Sequence, residues 1–471
     1  MSSAGVVDLL RERLGDRVDT SESARRRATA DKSGHSATGL PLAVVHAETV
    51  DDVQAVMRIA HRTRTPVVTR GAGAGLAGGA NTGEGEISLS LRRMDRILSV
   101  DPADLVAVVE PGIINADLNA ALAAHGLWWA PDPASRNIST VGGNIATGAG
   151  GLLCAKYGVV RDAVLGVDLV LADGRLLRLG HRTVKGVTGL DLTALVIGSE
   201  GILGVVVGAT LKLRPVVPGE PRTLTAVFPT VRDAATASSA VTASGIQPAI
   251  MELMDPLSLD AVHRLLSLAP PTAGAAQLTV QTDGIAAADE ARAIAEILTT
   301  HGGAVALAAD QTESDRLWTI RRSMHAAMEL LAAEMAGMTL IEDVSVPRSR
   351  LPEMFDEIAR IETAYGIRIP TVCHAGDGNL HPNFVFPGTE VPDQVWQAAD
   401  ELFRAALRLG GTLTGEHGIG VLKRRWLADE LGEDQWQLQR EIARVFDPHG
   451  ILNPGKVFSP QQDGRGQSAG G

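Results

Sequence analysis

HAGDGNLHPN, residues 374–383, is the stretch of this sequence that says most about its fold and chemistry. β-prone runs lie on both sides of Asp377-Gly378, a strong two-residue turn signal, and together they predict a tight β-hairpin. With Asp377 and Gly378 at the central turn positions, His374 lies directly opposite His381. Their Cβ atoms are then about 5 Å apart on one face. Two imidazoles this close favour a site for one divalent cation, the alternative being a polar hairpin that only turns a corner.

A second short segment, GEHGIG at residues 415–420, adds a carboxylate and a third histidine. Glu416 is the expected third metal ligand, because two histidines and one carboxylate leave positions open for a substrate. Asn383 follows on the same strand face and is predicted to contact the substrate or a ligand. Cys373 points to the opposite face of its strand, so we predict a buried thiol rather than a ligand.

Length, charge and cysteine content restrict the class of protein. A chain of 471 residues is too long for one simple core, so two or three domains are expected. The net charge of −12 argues against a nucleic-acid partner. Only Cys154 and Cys373 are present, which excludes a disulfide framework and fits a reducing compartment. Neither a secretory signal nor a transmembrane helix is visible, and the sequence predicts a cytoplasmic protein.

Residues 1–39 are predicted to form a polar lead-in with one short helix, and the folded domains are predicted to begin after it. A helix start is predicted at Thr49, and a second helix is predicted to run from an Asn115 cap to Gly126. The proline-rich segment 213–221 suggests an interdomain crossing. The Gln-, Gly- and Ser-rich tail 459–471 is predicted to be disordered.

A glycine-rich loop follows a predicted buried strand at residues 66–69. Gly73-Ala-Gly75-Leu-Ala-Gly78 matches the dinucleotide pattern GxGxxG, but a turn and a strand follow it instead of a helix. The many bare backbone N–H groups after Arg70 favour a nest for a diphosphate, and a flexible surface loop is the alternative.

Three further stretches, residues 131–151, 156–158 and 198–204, are similarly poor in large side chains. Ordering them is costly in conformational entropy unless a large ligand or close backbone packing holds them. They suggest a long, flat, phosphate-bearing cofactor lying against backbone. Tight turns in a compact sheet protein are the other interpretation.

Along the chain the four glycine-rich loops come first, followed by the hairpin, by GEHGIG and by DPHGILNPGK at residues 447–456. Together they closely resemble the FAD-linked D-2-hydroxyacid dehydrogenases of the vanillyl-alcohol-oxidase (PCMH-type) flavoprotein superfamily. The resemblance implies an α+β fold with a two-subdomain FAD-binding domain at 40–215. It also implies a cap domain with an antiparallel sheet and the metal site at 220–446, and a segment at 447–458 that returns to the FAD domain.

The resemblance also implies which residues hold the cofactor. The backbone of Gly71 to Gly75 would hold the pyrophosphate, and Glu200 and Ile202 would lie on the adenosine side. The full cofactor-binding set is Arg70, Gly71, Ala72, Gly73, Ala74, Gly75, Gly79, Pro131, Asp132, Ser135, Gly142, Gly143, Asn144, Thr147, Gly150, Gly151, Tyr157, Gly158, Glu200, Ile202 and Asn453. No histidine occurs in the loop that carries covalent FAD in relatives, so non-covalent FAD is expected. Ala74 stands where many relatives have threonine.

Catalytic roles follow from the same resemblance. His417 is the expected general base, with a structural histidine as the alternative, because imidazole titrates near neutral pH. Arg321 is expected to bind the substrate carboxylate, although it or its neighbour Arg322 could be a solvated helix residue. The identity of the expected metal is open, because histidine and carboxylate ligands suit Zn, Mn and Fe alike.

The expected reaction is oxidation of a small D-2-hydroxy acid, preferably D-lactate or glycolate, with electrons passed to a non-nicotinamide acceptor. Residues 340–347 contain no Lys or Arg to clamp a second carboxylate, which makes D-2-hydroxyglutarate the alternative substrate. A non-redox alkyl-transferase of the same fold and a non-catalytic flavin- or metal-binding subunit are further alternatives. A quinone, a cytochrome, an electron-transferring flavoprotein or oxygen could take the electrons, and a homodimer is left open.

Overall fold

The computed structural model describes residues 2–269 and 272–458. The predicted disordered tail at 459–471 lies outside the described residues. Up to residue 150 the chain forms, in order, α1 (Ser3–Leu14), β1 (Val18–Asp19), α2 (Glu22–Ala28), β2 (Ala43–His46), α3 (Val50–Thr63), β3 (Val67–Arg70), β4 (Ile87–Ser90), β5 (Ile97–Asp101), β6 (Val106–Val109), α4 (Asn115–Ala123), β7 (Leu127–Trp128) and α5 (Val141–Thr147). There follow α6 (Cys154–Tyr157), β8 (Val164–Val170), β9 (Leu176–Gly180), α7 (Leu192–Val196), β10 (Val205–Lys212) and β11 (Arg214–Pro215).

The later elements alternate between strands and helices. They are β12 (Arg222–Phe228), α8 (Val231–Ala243), β13 (Ile250–Met254), α9 (Pro256–Leu265), β14 (Ala276–Thr282), α10 (Ala287–Thr300), β15 (Ala304–Leu307), α11 (Gln311–Arg322), α12 (Met324–Glu334), β16 (Gly337–Ile341), β17 (Val344–Ser345), α13 (Leu351–Tyr365), β18 (Thr371–His374), β19 (Asn379–Pro387), α14 (Asp393–Arg408), α15 (Leu427–Leu431) and α16 (Glu433–Phe446). Short 3₁₀ helices lie at Gly15–Arg17, Val160–Ala163 and Arg348–Arg350.

The chain divides into two compact units. Unit 1 contains Met1–Gly150, Val159–Val216 and Glu416–Gly471, and unit 2 contains Gly151–Gly158 and Val217–Gly415. The domain limits predicted from the sequence stay predictions.

Unit 1 contains a four-stranded sheet, a five-stranded sheet and the two-stranded pair β7-β11. The first has strand order β1-β2-β4-β3, in which β4 is parallel to both β2 and β3. The second is the antiparallel sheet β5-β6-β10-β8-β9. The predicted helix start at Thr49 is confirmed, because Thr49 and Asp52 form a capping box at the first turn of α3. Val53, Val56 and Met57 on α3 are buried in an apolar core.

The chain end of unit 1 returns to the first sheet. The backbone N–H of Val67 donates to the carbonyl of Ile451, and the N–H of Asn453 donates to the carbonyl of Val67. Residues 451–453 therefore extend this sheet beside β3, which anchors Asn453 next to the glycine-rich loop that follows the same strand.

Unit 2 is built on one antiparallel sheet. Its strand order is β15-β12-β14-β13-β18-β19-β16, and β17 also pairs with β19. The strands β13, β18 and β19 are buried at almost every position, which is typical of the centre of a covered sheet. The hairpin β18–β19 therefore holds its histidines inside a rigid element. Among the residues that the structure describes, none of the helices combines the length and apolarity needed to cross a bilayer.

Candidate active site

The predicted hairpin exists, but the predicted register is wrong by two residues. His374 lies opposite Asn379, and His381 lies opposite Val372. The turn contains residues 375–378 instead of two residues, because segments distant in sequence bond to its backbone: the N–H of Gly376 donates to the carbonyl of Met251, and the carbonyl of Gly378 accepts from the N–H of Val346. A two-residue shift keeps every side chain on its predicted face, since the side-chain period of a strand is two.

His374 and His381 are diagonal neighbours on one buried face. Their ring centroids are 4.9 Å apart in an edge-on arrangement, and the residues are 7% and 8% exposed. Cys373 is fully buried, and burial raises the pKa of its thiol well above the usual value. The histidine pair therefore lies where solvent has little access, which is a favourable setting for a metal centre.

Glu252 on β13 organises this face and was not singled out in the sequence. Its carboxylate accepts from Nδ1 of His374 at 2.6 Å through Oε1. Through Oε2 it binds Nε and Nη2 of Arg321, each at 2.7 Å. Burial raises the pKa of Glu252, but its interactions with His374 and Arg321 together outweigh burial and the net shift is downward. Arg321, predicted to bind substrate, thus uses one edge of its guanidinium on Glu252 and keeps Nη1 for a further contact.

Asp343 fixes the segment that precedes Glu416. Its fully buried carboxylate accepts from the side chains of Asn379 and Thr414 and from the backbone N–H of Gly415. Gly415 is also needed for space, because a Cβ there would meet Nδ2 of Asn379 at 2.4 Å. The hairpin and the Thr414-Gly415 segment are consequently held together within unit 2.

Glu416 is bonded directly to Gly415, at the point where the division between the units falls. His374 and His381 belong to unit 2, and Glu416 is the first residue of the last segment of unit 1. His417 comes next, with Nε2 3.8 Å from the Glu416 carboxylate. Asn383 donates its side-chain amide to the carbonyls of Pro370 and His381, so its Oδ1 is the atom available for a ligand. The roles of these residues stay predictions.

The glycine-rich loop follows β3 as expected, and no helix follows it before β4. The guanidinium of Arg70 donates to the carbonyls of Ala80 and Ala30, so it connects the start of the loop to its end and to the segment after α2. Gly73 has φ +68°, and a Cβ there would strike the Arg70 guanidinium. Gly71 is equally restricted, because a Cβ would lie 2.4 Å from Oγ1 of Thr140. A direct contact between Arg70 and a cofactor stays a prediction.

The second bare stretch forms α5 and its flanks. Thr140 caps α5 by accepting from the N–H of Gly143. The prediction of an Asn115 cap on α4 is wrong: Ile114 is the cap residue, and the Asn115 side chain instead donates to the carbonyl of Pro131 and to Oδ1 of Asn144. Polar side chains in this stretch therefore cross-link the loop to α4 and α5.

The remaining predicted cofactor residues are distributed over both units. Unit 1 contains Gly71, Ala72, Gly73, Ala74, Gly75 and Gly79 in the loop after β3, Pro131, Asp132 and Ser135 before α5, Gly142, Gly143, Asn144 and Thr147 in α5, and Gly150, Glu200, Ile202 and Asn453 in connecting segments. Unit 2 contains Gly151, Tyr157 and Gly158. The hydroxyl of Tyr157 donates to Asp283. A Cβ on Gly150 would meet the Glu416 carboxylate at 2.5 Å, so this glycine permits a close approach.

Glu200 and Asn453 connect three loops of unit 1. The carboxylate of Glu200 accepts from the backbone N–H groups of Ile419 and Gly420 at 2.7 and 2.9 Å, and burial raises its pKa to about 7. Asn453 donates to the carbonyls of Gly79 and Glu200. Glu200 therefore anchors GEHGIG, and its predicted position on the adenosine side stays a prediction.

A cavity in unit 1 opens beside the glycine-rich loop. Its volume is about 470 Å³, within the range of small-molecule sites. Arg70, Gly71 and Ala72 line one side, and Asn137 and Ile138 line another. The buried Oδ1 of Asn453 has no hydrogen-bond partner among the described residues. A buried acceptor left open next to these loops is what a donor on a bound ligand would satisfy.

Comparison with solved structures identifies the fold. p-Cresol methylhydroxylase with bound substrate superposes with a TM-score of 0.76 over 97% of each chain at 19% identity. An alkyldihydroxyacetonephosphate synthase superposes with a TM-score of 0.75 over 96% of this chain and 86% of that chain at 20% identity. These likenesses concern the fold alone. They confirm the predicted α+β architecture with a PCMH-type FAD-binding fold.

Family comparisons then define the class. Residues 41–180 match the FAD binding domain, and residues 217–457 match the C-terminal domain of FAD linked oxidases. The chain belongs to the FAD-linked oxidase family and is a flavoprotein oxidoreductase.

Several relatives are similar over nearly their whole length. The glycolate oxidase subunit GlcD of Bacillus subtilis is 38% identical, with 89% of each chain covered. A D-lactate dehydrogenase of Archaeoglobus fulgidus is 35% identical over 88% of this chain and 90% of that protein. A probable mitochondrial D-lactate dehydrogenase of Danio rerio is 33% identical over 97% and 92%.

Proposed function

We propose that this protein oxidises a small D-2-hydroxy acid, D-lactate or glycolate, to the 2-oxo acid with non-covalent FAD and a divalent metal. The observation that carries the proposal is the buried pair His374 and His381 with Glu252 behind it. A carboxylate on Nδ1 of His374 leaves Nε2 as the ligand atom, an arrangement that recurs at protein metal centres. The relatives named as glycolate oxidase subunit and D-lactate dehydrogenase agree with this substrate class.

The donor set fits a divalent transition metal. His374, His381 and Glu416 would hold the ion, since two imidazoles and one carboxylate suit Zn, Mn or Fe and leave positions open. The glycine-rich loop, the cavity beside it and the open acceptor of Asn453 fit FAD. When bound, FAD supplies the hydride acceptor and the cation lowers the pKa of the substrate hydroxyl.

The chain's own residues position the substrate and move the proton. Arg321 binds the substrate carboxylate with the edge that Glu252 leaves open, which fixes the orientation of C2. His417 takes the hydroxyl proton on its unprotonated ring nitrogen. The proton thus goes to imidazole, and the C2 hydride leaves with its electron pair, so the alcohol is oxidised by two electrons.

The segment beside the hairpin bears on the number of carboxylates in the substrate. The segment at 340–347 contains Glu342 and Asp343 and no cationic residue, and both carboxyl groups are buried. Neither of them attracts a second substrate carboxylate, which favours a monocarboxylic acid over D-2-hydroxyglutarate. A quinone, a cytochrome or an electron-transferring flavoprotein takes the electrons from the reduced flavin.

Anaerobic mixing of the purified FAD-loaded protein with a panel of D- and L-2-hydroxy acids tests the proposal. D-lactate or glycolate should bleach the oxidised flavin, and a chelator should abolish the bleaching until Zn, Mn or Fe is restored. His381→Ala should lose the metal-dependent reaction. The matched control His325→Ala, on an exposed helix position, should retain it.

Three outcomes contradict the proposal. If a chelator leaves the bleaching unchanged, the proposed role of the metal is wrong. If the protein prefers L-2-hydroxy acids, the proposed D-stereochemistry is wrong. Absence of bleaching by any 2-hydroxy acid would favour the non-redox alkyl-transferase chemistry of the same fold.

A further inference from the structure

Glu252 lies at the centre of the unit 2 sheet, directly across from the histidine pair. In the register between β13 and β18, Glu252 pairs with His374, so their side chains share one face of the sheet. The residue is 1% exposed, although its strand is otherwise apolar: Ile250-Met-Glu-Leu-Met254. A carboxylate at such a position costs free energy unless strong partners satisfy it.

Its two oxygens serve two different functional groups. Oε1 accepts from Nδ1 of His374, and Oε2 accepts from both Nε and Nη2 of Arg321. Because a carboxylate only accepts, His374 must carry its proton on Nδ1 and present Nε2 away from Glu252. The same carboxylate holds the Arg321 guanidinium by two N–H groups, which fixes the plane of the guanidinium.

We infer that Glu252 is a positioning residue that orients the metal ligand His374 and the substrate-binding Arg321 through a single carboxylate. The inference rests on the proposed function and deepens it, because it couples the metal subsite to the substrate-carboxylate subsite. Arg321 alone could neutralise the charge of Glu252. The second bond, to His374, is the one that only a ligand-orienting role requires.

Glu252→Gln tests the inference at nearly constant shape. One oxygen of the carboxylate becomes an NH₂ donor, which must face a donor on either His374 or Arg321 whichever way the amide turns. The matched control is Asp255→Asn. Asp255 is a buried carboxylate that directly follows β13 and accepts the backbone N–H groups of Ser258 and Thr371 without touching the histidines.

The FAD-loaded proteins, stripped of metal, are titrated with Co(II), followed by its ligand-field absorption, and then assayed with D-lactate over a range of concentrations. Loss of such a partner typically weakens metal affinity or activity by about 10–100-fold. Glu252→Gln should raise the Co(II) dissociation constant by about that factor, change the Co(II) spectrum and raise KM for D-lactate. Asp255→Asn should match wild type in all three.

A second substitution separates the two bonds. Arg321→Lys keeps a cation beside Glu252 but loses the paired N–H geometry, so KM should rise while Co(II) affinity stays within about twofold of wild type. If Glu252→Gln equals Asp255→Asn in Co(II) affinity, spectrum and KM, the positioning role is wrong while the proposed function stands. A wild-type protein that binds no Co(II) overturns both. If Glu252→Gln does not fold, Glu252→Asp provides the same comparison, with weaker Co(II) binding expected and unchanged binding refuting the role.

Discussion

Removing the Asp343 carboxylate should loosen the connection between the hairpin and the segment that ends in Glu416. Asp343 accepts hydrogen bonds from Asn379, from Thr414 and from the N–H of Gly415. Hydrogen bonds to a charged group contribute roughly 1.5–3 kcal/mol each and are not additive when they share one acceptor. The backbone bonds between Ser345 and Thr412 remain in place. We therefore expect Asp343→Ala to cost about 3–5 kcal/mol of local stability.

Asp343→Asn should cost less, about 1–3 kcal/mol, because its carbonyl oxygen can still accept and the Thr414 hydroxyl can rotate to meet the new NH₂. The control is Asp356→Ala. Asp356 forms an exposed ion pair with Arg232, and such pairs contribute about 0–1 kcal/mol.

Hydrogen exchange measured by mass spectrometry on peptides from β18 and β19 is the appropriate assay, since a chain of two units need not unfold in one step. Co(II) affinity is the second readout, because Glu416 follows the segment that Asp343 holds. Exchange protection lowered by less than about 1 kcal/mol in Asp343→Ala, or an unchanged Co(II) affinity, would falsify the argument that this carboxylate fixes the ligand-bearing segment.

Three further substitutions probe other parts of the chain. Gly71→Ala places a methyl group against the Thr140 cap. It should weaken FAD binding about fivefold by equilibrium dialysis, the loss of about 1 kcal/mol expected for a disturbed cap, and an unchanged affinity would refute the packing argument. The pKa of Glu200 is raised from 4.5 to about 7, so its contribution to stability, roughly 3 kcal/mol, is complete below about pH 4.5 and is lost as the pH rises through 7. Glu200→Gln should flatten the pH dependence of thermal unfolding over that range. An unchanged pH dependence would contradict the raised pKa. Cys373→Ser should leave Co(II) affinity within about twofold of wild type while costing about 1–3 kcal/mol for the buried hydroxyl, whereas lost metal binding would make the thiol a ligand.

The strands and faces of the hairpin could be predicted from the sequence, but its register could not. Local signals at Asp377-Gly378 indicate a two-residue turn, and the structure has four residues there. The difference arises from Met251 on β13 and from Val346, which follows β17, because both bond to the turn's backbone. A window of local sequence contains no information about these bonds. The histidine pair survives the error because a slip of two residues preserves strand faces.

That Glu252 and Asp343 belong to the candidate site could not be predicted from the sequence, for a related reason. Glu252 lies 122 residues before its partner His374, and Asp343 lies 71 residues before Thr414, so neither pair forms a recognisable spacing. One signal was available. A single charged residue within the apolar run Ile250–Met254 conflicts with a buried strand, and such conflicts are expected at functional sites.

Arg70 shows how the base of the glycine-rich loop is held in place. Arg70 is predicted to bind the cofactor, and this stays a prediction; in the structure its guanidinium donates to two backbone carbonyls. The loop's own backbone then becomes the group that can meet an anion, because its N–H groups are what the bracing holds in place.

The buried charged residues of unit 2 indicate that this region serves a function as well as the stability of the fold. Replacing a buried ion pair with apolar residues of similar volume is often neutral or stabilising, so stability alone gives no reason to bury the pair formed by Glu252 on β13 and Arg321 on α11. Asp343, in the connection between β16 and β17, is a second buried carboxylate and bonds to Asn379, Thr414 and Gly415. Glu252 bonds to a predicted ligand, and Asp343 bonds to the segment that leads to one. A core that retains two carboxylates around one histidine pair is better explained by the need to orient His374, Arg321 and the chain before Glu416 than by any gain in folding free energy.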